Sequence, residues 1–339
     1  MGSTKEPTMT KKSQFEKLSS GDVTGPVLFR PILMHFAARF HGNTYGEFAS
    51  DHKVLVQSNI RCMDYFETDM VGLISDPYRE TSAFGAKVSF PAEQVPRCEQ
   101  LLIQNIDDVK NLKRPDVYKC DRTLDRILGA ELFQKELKGE VPVIGWIEGP
   151  LAEACDLTGI SNMLMQLMLD PDFSNFLLDK CVQTAKDFAK AQIEAGCDIV
   201  GMGDAICSQI DRMTYDLFIK ERHREIISFI HGLGAKVKLH ICGDITHLLP
   251  SLKDLNLDIL DIDYMVSMED AFRIVGPDVI RCGNLNPVVI QNSTTFEVEQ
   301  LCRKLLEAEK GRKFILSAGC EITVSTPHEN LKAMRIASK

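Results

Sequence analysis

The feature that most constrains the fold of this chain is a regular alternation of short apolar runs with longer amphipathic runs. Eight apolar runs have the length and residue types of strands, at residues 26–34, 70–75, 141–148, 198–203, 237–242, 258–263, 279–284 and 314–320. Helical patterns lie at residues 161–169, 172–195, 215–233, 245–249, 268–275 and 296–310. Strands that alternate with helices form parallel sheets, and eight such units are typical of a closed barrel. The sequence therefore predicts an α/β fold, a (β/α)₈ TIM barrel.

The domain organisation follows from where this pattern begins and where it is interrupted. Residues 1–20 start with a polar stretch and are predicted to be a flexible segment, and residues 21–339 are predicted to form one barrel domain. The long stretch between the second and third strands, roughly residues 76–140, predicts an insertion that holds a hairpin or a lid. A doubly wound open sheet is the alternative, but it requires a glycine-rich turn after the first strand, and residues 34–39 contain no glycine.

Composition and charge exclude several classes of function. The net charge is −9 at pH 7 and there is no basic block, which excludes a nucleic-acid partner. No apolar run is long enough to span a membrane, and the N-terminus has no apolar signal core. Eleven scattered cysteines, an odd number, predict free thiols in a reducing cytoplasm. A homodimer is compatible with a barrel, although no sequence feature marks an interface.

The strongest chemical signal is the pair His240 and Cys242 at the end of the fifth apolar run, together with Cys320 at the end of the eighth. Side chains two apart on a strand point to the same face, so the imidazole and the first thiol project together. One imidazole and two thiolates with room for a fourth ligand are typical of a catalytic Zn²⁺ site, because structural zinc sites usually have four protein ligands. The alternatives are ordinary buried thiols and a closed site that stores or senses a metal.

Polar side chains also end most of the other strands, and the active sites of TIM barrels lie at these ends. Three acids are predicted to be catalytic: Glu148, Asp204 and Asp263. Glu148 is a candidate fourth zinc ligand or general acid. Asp204 either orients the metal-binding histidine through a hydrogen bond or caps a helix. Asp261 and Asp263 share one face of their strand, and the position at the strand end favours Asp263.

Six further residues near the strand ends are predicted to bind substrate: His35, Asp76, Tyr78, Arg79, Met202 and Asn284. Arg79 is suited to bind a substrate carboxylate through two hydrogen bonds or to pair with a neighbouring acid. Asp76 precedes a proline and equally fits the start of a turn. Tyr78 and Met202 offer apolar surface to an aromatic substrate. His223 lies among charged residues of a helical pattern, and we expect it to face solvent.

Five segments resemble the uroporphyrinogen decarboxylase-like barrels: 145–154 (GWIEGPLAEA), 195–204 (AGCDIVGMGD), 239–243 (LHICG), 283–287 (GNLNP) and 319–330 (GCEITVSTPHEN). With their surroundings they cover most of the chain from about residue 141. One branch of this superfamily, the corrinoid-dependent methyltransferases, binds Zn²⁺ through a His-x-Cys pair and a later cysteine. His240, Cys242 and Cys320 match those positions. The resemblance therefore implies Zn²⁺ at these residues and a corrinoid that a partner protein supplies.

The first part of the chain is more similar to another group in that branch. Segments 29–48 (FRPILMHFAARFHGNTYGEF) and 75–85 (SDPYRETSAFG) look like the O-demethylase methyltransferases of anaerobic bacteria. This likeness implies that a methyl group moves from a small methoxylated aromatic, an aryl methyl ether, to the Co(I) corrinoid of the partner. Transfer from a methyl-corrinoid to a thiol, as in the methylcobamide:coenzyme M methyltransferases, is the alternative. A porphyrinogen decarboxylase is a further alternative, but it would need more basic residues near the first strand than Arg30 and Arg39.

Overall fold

The computed structural model describes residues 9–339, and its main sheet is a barrel of eight parallel strands, as the sequence predicts. The strands are β1 (Leu28–Phe29), β2 (Val71–Gly72), β3 (Val88–Ser89), β4 (Arg97–Cys98), β5 (Val143–Glu148), β6 (Ile199–Gly203), β7 (Lys236–His240), β8 (Ile259–Ile262), β9 (Ile280–Leu285) and β10 (Phe314–Ala318). All except β3 and β4 belong to the barrel, in the order β1-β10-β9-β8-β7-β6-β5-β2. The edge strands β1 and β2 meet through Asp69. Its backbone N–H donates to the Phe29 carbonyl at 2.8 Å, and its carboxylate accepts from the Phe29 N–H at 2.7 Å.

Helices cover the outside of this barrel. They are α1 (Lys11–Ser20), α2 (His35–His41), α3 (Tyr45–Ser50), α4 (His52–Phe66), α5 (Arg79–Ala83), α6 (Ile106–Asn111), α7 (Asp121–Leu137), α8 (Pro150–Thr158), α9 (Ile160–Leu169), α10 (Pro171–Glu194), α11 (Arg212–Phe218), α12 (Lys220–Gly232), α13 (Leu249–Leu252), α14 (Met268–Val275), α15 (Pro287–Asn292), α16 (Thr295–Ala308) and α17 (His328–Ser338). Short 3₁₀ helices span Ala205–Gln209 and Lys253–Leu255. The predicted insertion lies between β2 and β5 and contains the antiparallel β3–β4 hairpin. None of the helices between residues 9 and 339 combines the length and the apolar composition needed to cross a bilayer.

Two predicted helices differ from the structure. The helix predicted at 245–249 is wrong, because the helix there, α13, begins at Leu249 and has Pro250 in its first turn. Proline is tolerated at that position because the first turn of a helix has no intrahelical acceptor for its N–H. The helix predicted at 215–233 is divided at the buried Ile219 into α11 and α12.

The prediction that all of residues 1–20 are flexible is wrong for residues 11–20, because they form the helix α1. The Thr10 side chain caps its N-terminus by accepting from the Ser13 N–H. Phe15 and Leu18 lie on one face of α1 and pack against the apolar residues at the amino-terminal end of the barrel. Burial of each side chain stabilises the fold by about 1.5–3 kcal/mol. Residues 11–20 therefore close the bottom of the barrel, and the first eight residues of the predicted flexible segment lie outside the described residues.

The alternation of side chains along β5 and β6 places the chemistry in the barrel mouth. Ile144, Trp146 and Glu148 of β5 face the interior, with Ile144 in the bottom layer and Glu148 at the top. Above Ile199, which lies in the bottom layer, the interior positions of β6 are glycines. A Cβ atom at Gly201 would lie 2.3 Å from the Trp146 indole, and one at Gly203 would lie 2.9 Å from it. These glycines therefore make room for the indole beside the mouth.

Candidate active site

Three ligand-type side chains meet at the barrel mouth. His240 is the last residue of β7, Cys242 lies two residues beyond it, and Cys320 lies two residues beyond the end of β10. The two thiols are therefore in the loops just past the strands rather than on them. The His240 Nε2 lies 3.0 Å from the Cys242 Sγ and 3.8 Å from the Cys320 Sγ, and the two sulfurs are 3.7 Å apart. All three line one cavity.

These distances fit a tetrahedral metal centre. Zn²⁺ bonds of about 2.3 Å to sulfur and about 2.0–2.1 Å to nitrogen, at tetrahedral angles, require ligand atoms about 3.8 Å apart for two sulfurs and about 3.6 Å apart for nitrogen and sulfur. The observed sulfur–sulfur separation of 3.7 Å matches this requirement, and the nitrogen–sulfur separations of 3.0 and 3.8 Å lie on either side of it. The donor set suits Zn²⁺ and leaves room for one more ligand from the cavity.

The carboxylate that orients His240 is Asp261. The His240 Nδ1–H donates to the Asp261 Oδ2 at 2.9 Å, which leaves Nε2 facing the two thiols. Lys238 also pairs with this carboxylate. Burial opposes ionisation of Asp261, but Lys238, the His240 hydrogen bond and Arg30 together hold the pKa of that carboxyl below its usual value. A metal-binding histidine typically donates its second N–H to such a carboxylate, and Asp204 does not have this position.

The pKa values of the two thiols are shifted in opposite directions. The hydrogen bond from Cys242 lowers the pKa of Cys320 to about 4, against the opposing effect of burial. The same hydrogen bond, with burial, raises the pKa of Cys242 above its usual value. Burial alone would lower the pKa of His240, but hydrogen bonds to Asp261 and Cys320 raise it to about 9. The thiolate is the form that binds metals, so the lowered pKa suits Cys320 to a ligand role.

The cavity beside these ligands has a volume of about 200 Å³ and a mostly apolar wall. The apolar part of the wall includes Ile32, Met34, Tyr45, Ile74, Pro77, Val95, Trp146 and Ala205. Val95 comes from the loop of the β3–β4 hairpin, so the predicted insertion supplies part of the wall. Among the residues from 9 to 339, those that line this cavity include no lysine and no arginine.

Of the three acids predicted to be catalytic, Glu148 is the one that lines the cavity. Its Oε1 accepts from the Arg79 Nη2 at 2.7 Å and from the Trp146 Nε1 at 3.2 Å. Burial raises the pKa of Glu148 well above its usual value, the carboxyls of Glu80 and Asp156 raise it further, and Arg79 acts in the opposite direction. The geometry thus places Glu148 where the sequence predicts a catalytic acid, with a carboxyl group that favours its protonated form.

Arg79 and Asp76 lie on the same side of the mouth, but only Asp76 lines the cavity. Arg79 is fully buried and forms a salt bridge with Glu148. Its Nη1 also donates to the Asp76 carbonyl. The Asp76 carboxylate accepts from the Ser75 hydroxyl and pairs with Arg122. Of the two roles considered for Arg79, its position favours pairing with a neighbouring acid over binding a substrate carboxylate.

Asp204 lies away from the cavity, in a second cluster of buried polar residues. Its carboxylate accepts from the Ala152 N–H at 2.8 Å at the start of α8 and from the His223 Nε2–H at 2.9 Å. The Tyr215 hydroxyl donates to the His223 Nδ1 at 2.9 Å. The expectation that His223 faces solvent is wrong, because its side chain is completely buried. The geometry favours the helix-capping alternative for Asp204, although the helix it caps follows β5.

Three further predicted residues, Asp263, Asn284 and Met202, lie outside the cavity wall. Asp263 accepts from the Gly243 N–H at 2.7 Å and so fixes the loop next to Cys242. The Asn284 amide donates to the Val266 carbonyl at 2.8 Å. Met202 is completely buried in the core and points away from the interior, because its neighbours Gly201 and Gly203 occupy the inward positions. None of the three predicted residues lines the cavity.

His35 and Tyr78 also lie outside the cavity wall. The His35 ring stacks on Tyr45 with centroids 4.8 Å apart, and its backbone N–H donates to the Glu321 Oε1 at 2.9 Å. Tyr45 and Glu321 both line the cavity. Burial raises the pKa of Tyr78 to about 12, and its backbone N–H donates to the Asp76 carboxylate. His35 therefore contacts two residues of the cavity wall that were not predicted from the sequence, Tyr45 and Glu321.

The residues of the site that were not predicted from the sequence include Tyr45, Trp146, Asp261 and Glu321. Two of them carried a usable signal. Trp146 precedes Glu148 by two residues on the same strand and must share its face. Glu321 follows Cys320 directly in the motif. Tyr45 lies within the quoted segment 29–48, but it begins the helix α3 and has no strand-end position that would mark it as a site residue.

The fold and the site together define the class: a TIM barrel whose mouth holds an open imidazole–thiol ligand set beside a small apolar cavity. The chain belongs to the uroporphyrinogen decarboxylase (URO-D) family, whose family model matches residues 10–339.

Named relatives lie in two groups of this family. The methylcobamide:CoM methyltransferase MtbA of Methanosarcina mazei is 30% identical over 261 residues, which cover 75% of each chain. The uroporphyrinogen decarboxylase of Methylobacillus flagellatus is 23% identical over 308 residues, which cover 87% of this chain and 85% of that protein. A solved structure described as a methyltransferase from Methanosarcina mazei superposes with a TM-score of 0.89 at 19% identity, over 97% of this chain and 98% of that one. This superposition shows the shared fold.

Proposed function

We propose that this protein is a zinc-dependent methyltransferase that moves a methyl group between the corrinoid of a partner protein and a small substrate in the cavity. The observation that carries the proposal is the convergence of His240, Cys242 and Cys320 on a cavity that also receives Glu148. The relatives named methylcobamide:CoM methyltransferases support it. Their names favour a thiol as the small substrate over the aryl methyl ether that the sequence analysis preferred.

The ligand residues are prepared for a metal by their neighbours. Zn²⁺ held by His240, Cys242 and Cys320 would supply the Lewis acidity that keeps a thiol substrate in its thiolate form at neutral pH. Asp261 fixes the His240 ring so that Nε2 faces the thiols. Asp263 fixes the backbone beside Cys242. The ligand set thus needs little rearrangement on binding a metal.

In the thiol direction the atoms and electrons balance without a further reagent. The thiol proton is released to water at the mouth, and the substrate sulfur forms a bond to the methyl carbon. The carbon–cobalt bond breaks, and its electron pair stays on cobalt, which becomes Co(I). The product is a methyl thioether. The apolar wall contributes by holding the sulfur in position and by excluding water from the reacting atoms.

The corrinoid partner must reach the cavity from the mouth, and the surface there suits a protein partner. Met213 and Leu217 of α11 are 77% and 71% exposed, and Tyr264 and Met265 after β8 are 43% and 52% exposed. These residues lie in segments that follow the carboxyl ends of barrel strands. Exposed apolar patches mark sites of protein interaction. We therefore place the docking of the corrinoid protein on this face.

Demethylation of an aryl methyl ether is the second candidate, and Glu148 is the observation that favours it. Only Oε1 of this carboxyl makes side-chain hydrogen bonds within residues 9–339, so Oε2 is free beside the cavity. In this direction Co(I) attacks the methyl carbon, and the methyl–oxygen bond breaks with its electron pair going to oxygen. The proton of Glu148 then passes to the phenolate, a role that its raised pKa suits.

The experiment that tests the proposal uses zinc-loaded protein and free cobalamins in place of the partner's corrinoid. One assay contains methylcob(III)alamin and 2-mercaptoethanol, and another contains cob(I)alamin and 2-methoxyphenol, each followed by the cobalamin absorbance. We expect zinc-dependent transfer in at least one assay, its loss in Cys320→Ala, and its retention in Cys207→Ala, which removes a buried thiol outside the site. Absence of transfer in both assays, or full activity of Cys320→Ala, would contradict the proposal.

The variant Glu148→Gln separates the two candidate substrates, because glutamine keeps the shape of the side chain and removes its acidic proton. If the ether is the substrate, the rate should fall by about 10²–10⁴, the usual contribution of a general acid. If the thiol is the substrate, the change should stay below about tenfold, because no leaving oxygen needs a proton.

A further inference from the structure

We infer that the small substrate of this cavity is uncharged, so that thiols and ethers bearing a sulfonate or a carboxylate are excluded. The inference rests on the proposed function and specifies its substrate class. It is carried by the wall of the cavity, where the lining residues within 9–339 provide three carboxyl groups, from Asp76, Glu148 and Glu321, and no lysine or arginine.

Three cations that lie behind the cavity wall already have partners. Arg79 is fully buried and donates to Glu148 at 2.7 Å. Arg122 pairs with Asp76 and donates to the carbonyl of Ala49. Lys238, below His240, pairs with Asp261. An anionic ligand would have to take one of these cations from its present partner and leave a buried carboxylate unpaired.

An anion bound in the cavity would also lie close to the negatively charged carboxylate of Asp76 in the wall. Burial opposes ionisation of Asp76, but Arg122 and Arg79 hold the pKa of that carboxyl at about 2, so it remains ionised. The carboxyl of Glu148 is held towards its neutral form by burial, and a bound anion would favour that form further. Juxtaposed like charges and a buried anion without a partner are both costly. We expect discrimination of at least about 100-fold against the anion.

The rest of the wall favours an apolar molecule of modest size. Ile32, Ile74, Pro77 and Val95 present only carbon atoms at their side chains. The volume of about 200 Å³ is below the range of about 300–1,000 Å³ that is typical of pockets for drug-sized ligands. A single aromatic ring with small substituents, or a short aliphatic thiol, matches this space.

An uncharged substrate would differ from the charged substrates for which several relatives are named. Coenzyme M is 2-mercaptoethanesulfonate, a thiol with a permanent anionic group, and several relatives are named for it. Porphyrinogens carry many carboxylates and are excluded by the same argument. The methyl-transfer chemistry can therefore be retained in this chain while the substrate differs in charge.

The test measures binding separately from turnover, on the full zinc-loaded chain. Two matched pairs are titrated by calorimetry: 2-mercaptoethanol against 2-mercaptoethanesulfonate, and 2-methoxyphenol against 2-methoxybenzoate. We expect the neutral member of at least one pair to bind at least about 100-fold more tightly than its anionic partner. Equal or tighter binding of the anionic members, or no binding by any of the four, would overturn the inference.

A variant that adds a cation to the wall provides the converse test. Val95 is 54% exposed on the hairpin loop and lines the cavity, so a longer side chain can be accommodated there. Val95→Lys should increase binding of the sulfonate and the carboxylate by at least about tenfold, the effect of one new charge pair. Val95→Gln, which adds length without charge, should not. An equal increase in both variants, or none in Val95→Lys, would count against an electrostatic cause.

The outcomes distinguish this inference from the proposed function. Binding of the neutral molecules without any methyl transfer to or from cobalamin would support the substrate class and contradict the proposed reaction. Methyl transfer with the sulfonate thiol at a kcat/KM equal to that of 2-mercaptoethanol would support the reaction and overturn the substrate class.

Discussion

Among residues 9–339, two regions of the barrel combine cysteine, histidine and a carboxylate, and one of the two has the properties expected of a metal site. The mouth cluster consists of His240, Cys242 and Cys320, with Asp261 behind the histidine. The buried cluster, around the start of α8 and the 3₁₀ helix after β6, brings together Asp204, Cys207 and His223 within ligand distance of one another.

The two clusters differ in how many of their potential ligand atoms are already used in other hydrogen bonds. In the buried cluster, Asp204 accepts from His223 and from the N-terminus of α8, and the second nitrogen of His223 accepts from Tyr215. Burial raises the pKa of the Cys207 thiol, and Asp204 raises it further. In the mouth cluster, one imidazole nitrogen and two partly exposed thiols face a cavity. Residue types alone therefore do not identify a metal site, because free ligand atoms and access are also required.

Removal of a mouth ligand should have the largest effect. His240→Ala or Cys320→Ala should eliminate the bound zinc, because two protein ligands cannot replace the three of an open catalytic site. Cys207→Ala is the matched control and should keep about one zinc per chain. Zinc content is measured by mass spectrometry after gel filtration. Loss of zinc in Cys207→Ala together with its retention in Cys320→Ala would reverse the roles of the two clusters.

Disruption of the buried cluster should affect folding rather than metal. Asp204→Ala leaves the His223 Nε2–H and the N–H groups at the start of α8 without an acceptor, and it should lower the free energy of unfolding by about 3 kcal/mol. Urea titration of the zinc-loaded protein measures this change. Asp64→Ala, at an exposed position, should change stability by less than about 0.5 kcal/mol. A stable Asp204→Ala protein that has lost its zinc would contradict the comparison.

Loss of the carboxylate behind His240 should weaken zinc binding without abolishing it. Asp261→Asn should lower the affinity by about 10–100-fold, the usual effect of removing such a partner. Because the substitution also leaves Lys238 unpaired, the double variant Lys238→Met with Asp261→Asn serves as the second measurement. Competition with a chelator gives the affinities. Asp204→Asn should stay within about threefold of the original protein, and an equal loss there would remove the distinction between the clusters.

The reactivity of the cysteines should give the smallest and most local difference. Removal of zinc should increase the alkylation rates of Cys242 and Cys320 in the folded protein, because their thiols border the cavity. Cys207 is completely buried and should react only after unfolding. Peptide mapping by mass spectrometry assigns the modified thiols. Protection of Cys207 by zinc would be inconsistent with its position.

Most of the barrel, and the meeting of three ligand-type side chains at its mouth, could be predicted from the sequence. The eight apolar runs mark the strands because barrel strands are buried on both faces. His240, Cys242 and Cys320 could be predicted because strand ends meet at one rim. The choice between Asp261 and Asp263 could not, because it depends on register. Leu239 pairs with Leu260, which sets Asp261 level with His240.

Other errors had physical causes that are visible in the structure. The direction of Met202 was not predictable, because an apolar run buried on both faces shows no alternation. His223 did carry a signal that was overlooked: Ile226, Ile227 and Ile230 follow it at spacings of three, four and seven residues, which places it on the buried face of α12. The cavity wall from α3 and the hairpin loop depends on tertiary packing, which no local pattern specifies.

The most direct test of the account is X-ray absorption at the zinc edge of the full chain, with and without 2-mercaptoethanol. We predict a zinc ion with two sulfur ligands and one histidine nitrogen from the protein, and a third sulfur when the thiol is added, because the site has one position open to the cavity. Zinc bound by four protein ligands, with a spectrum that the thiol does not change, would contradict the account.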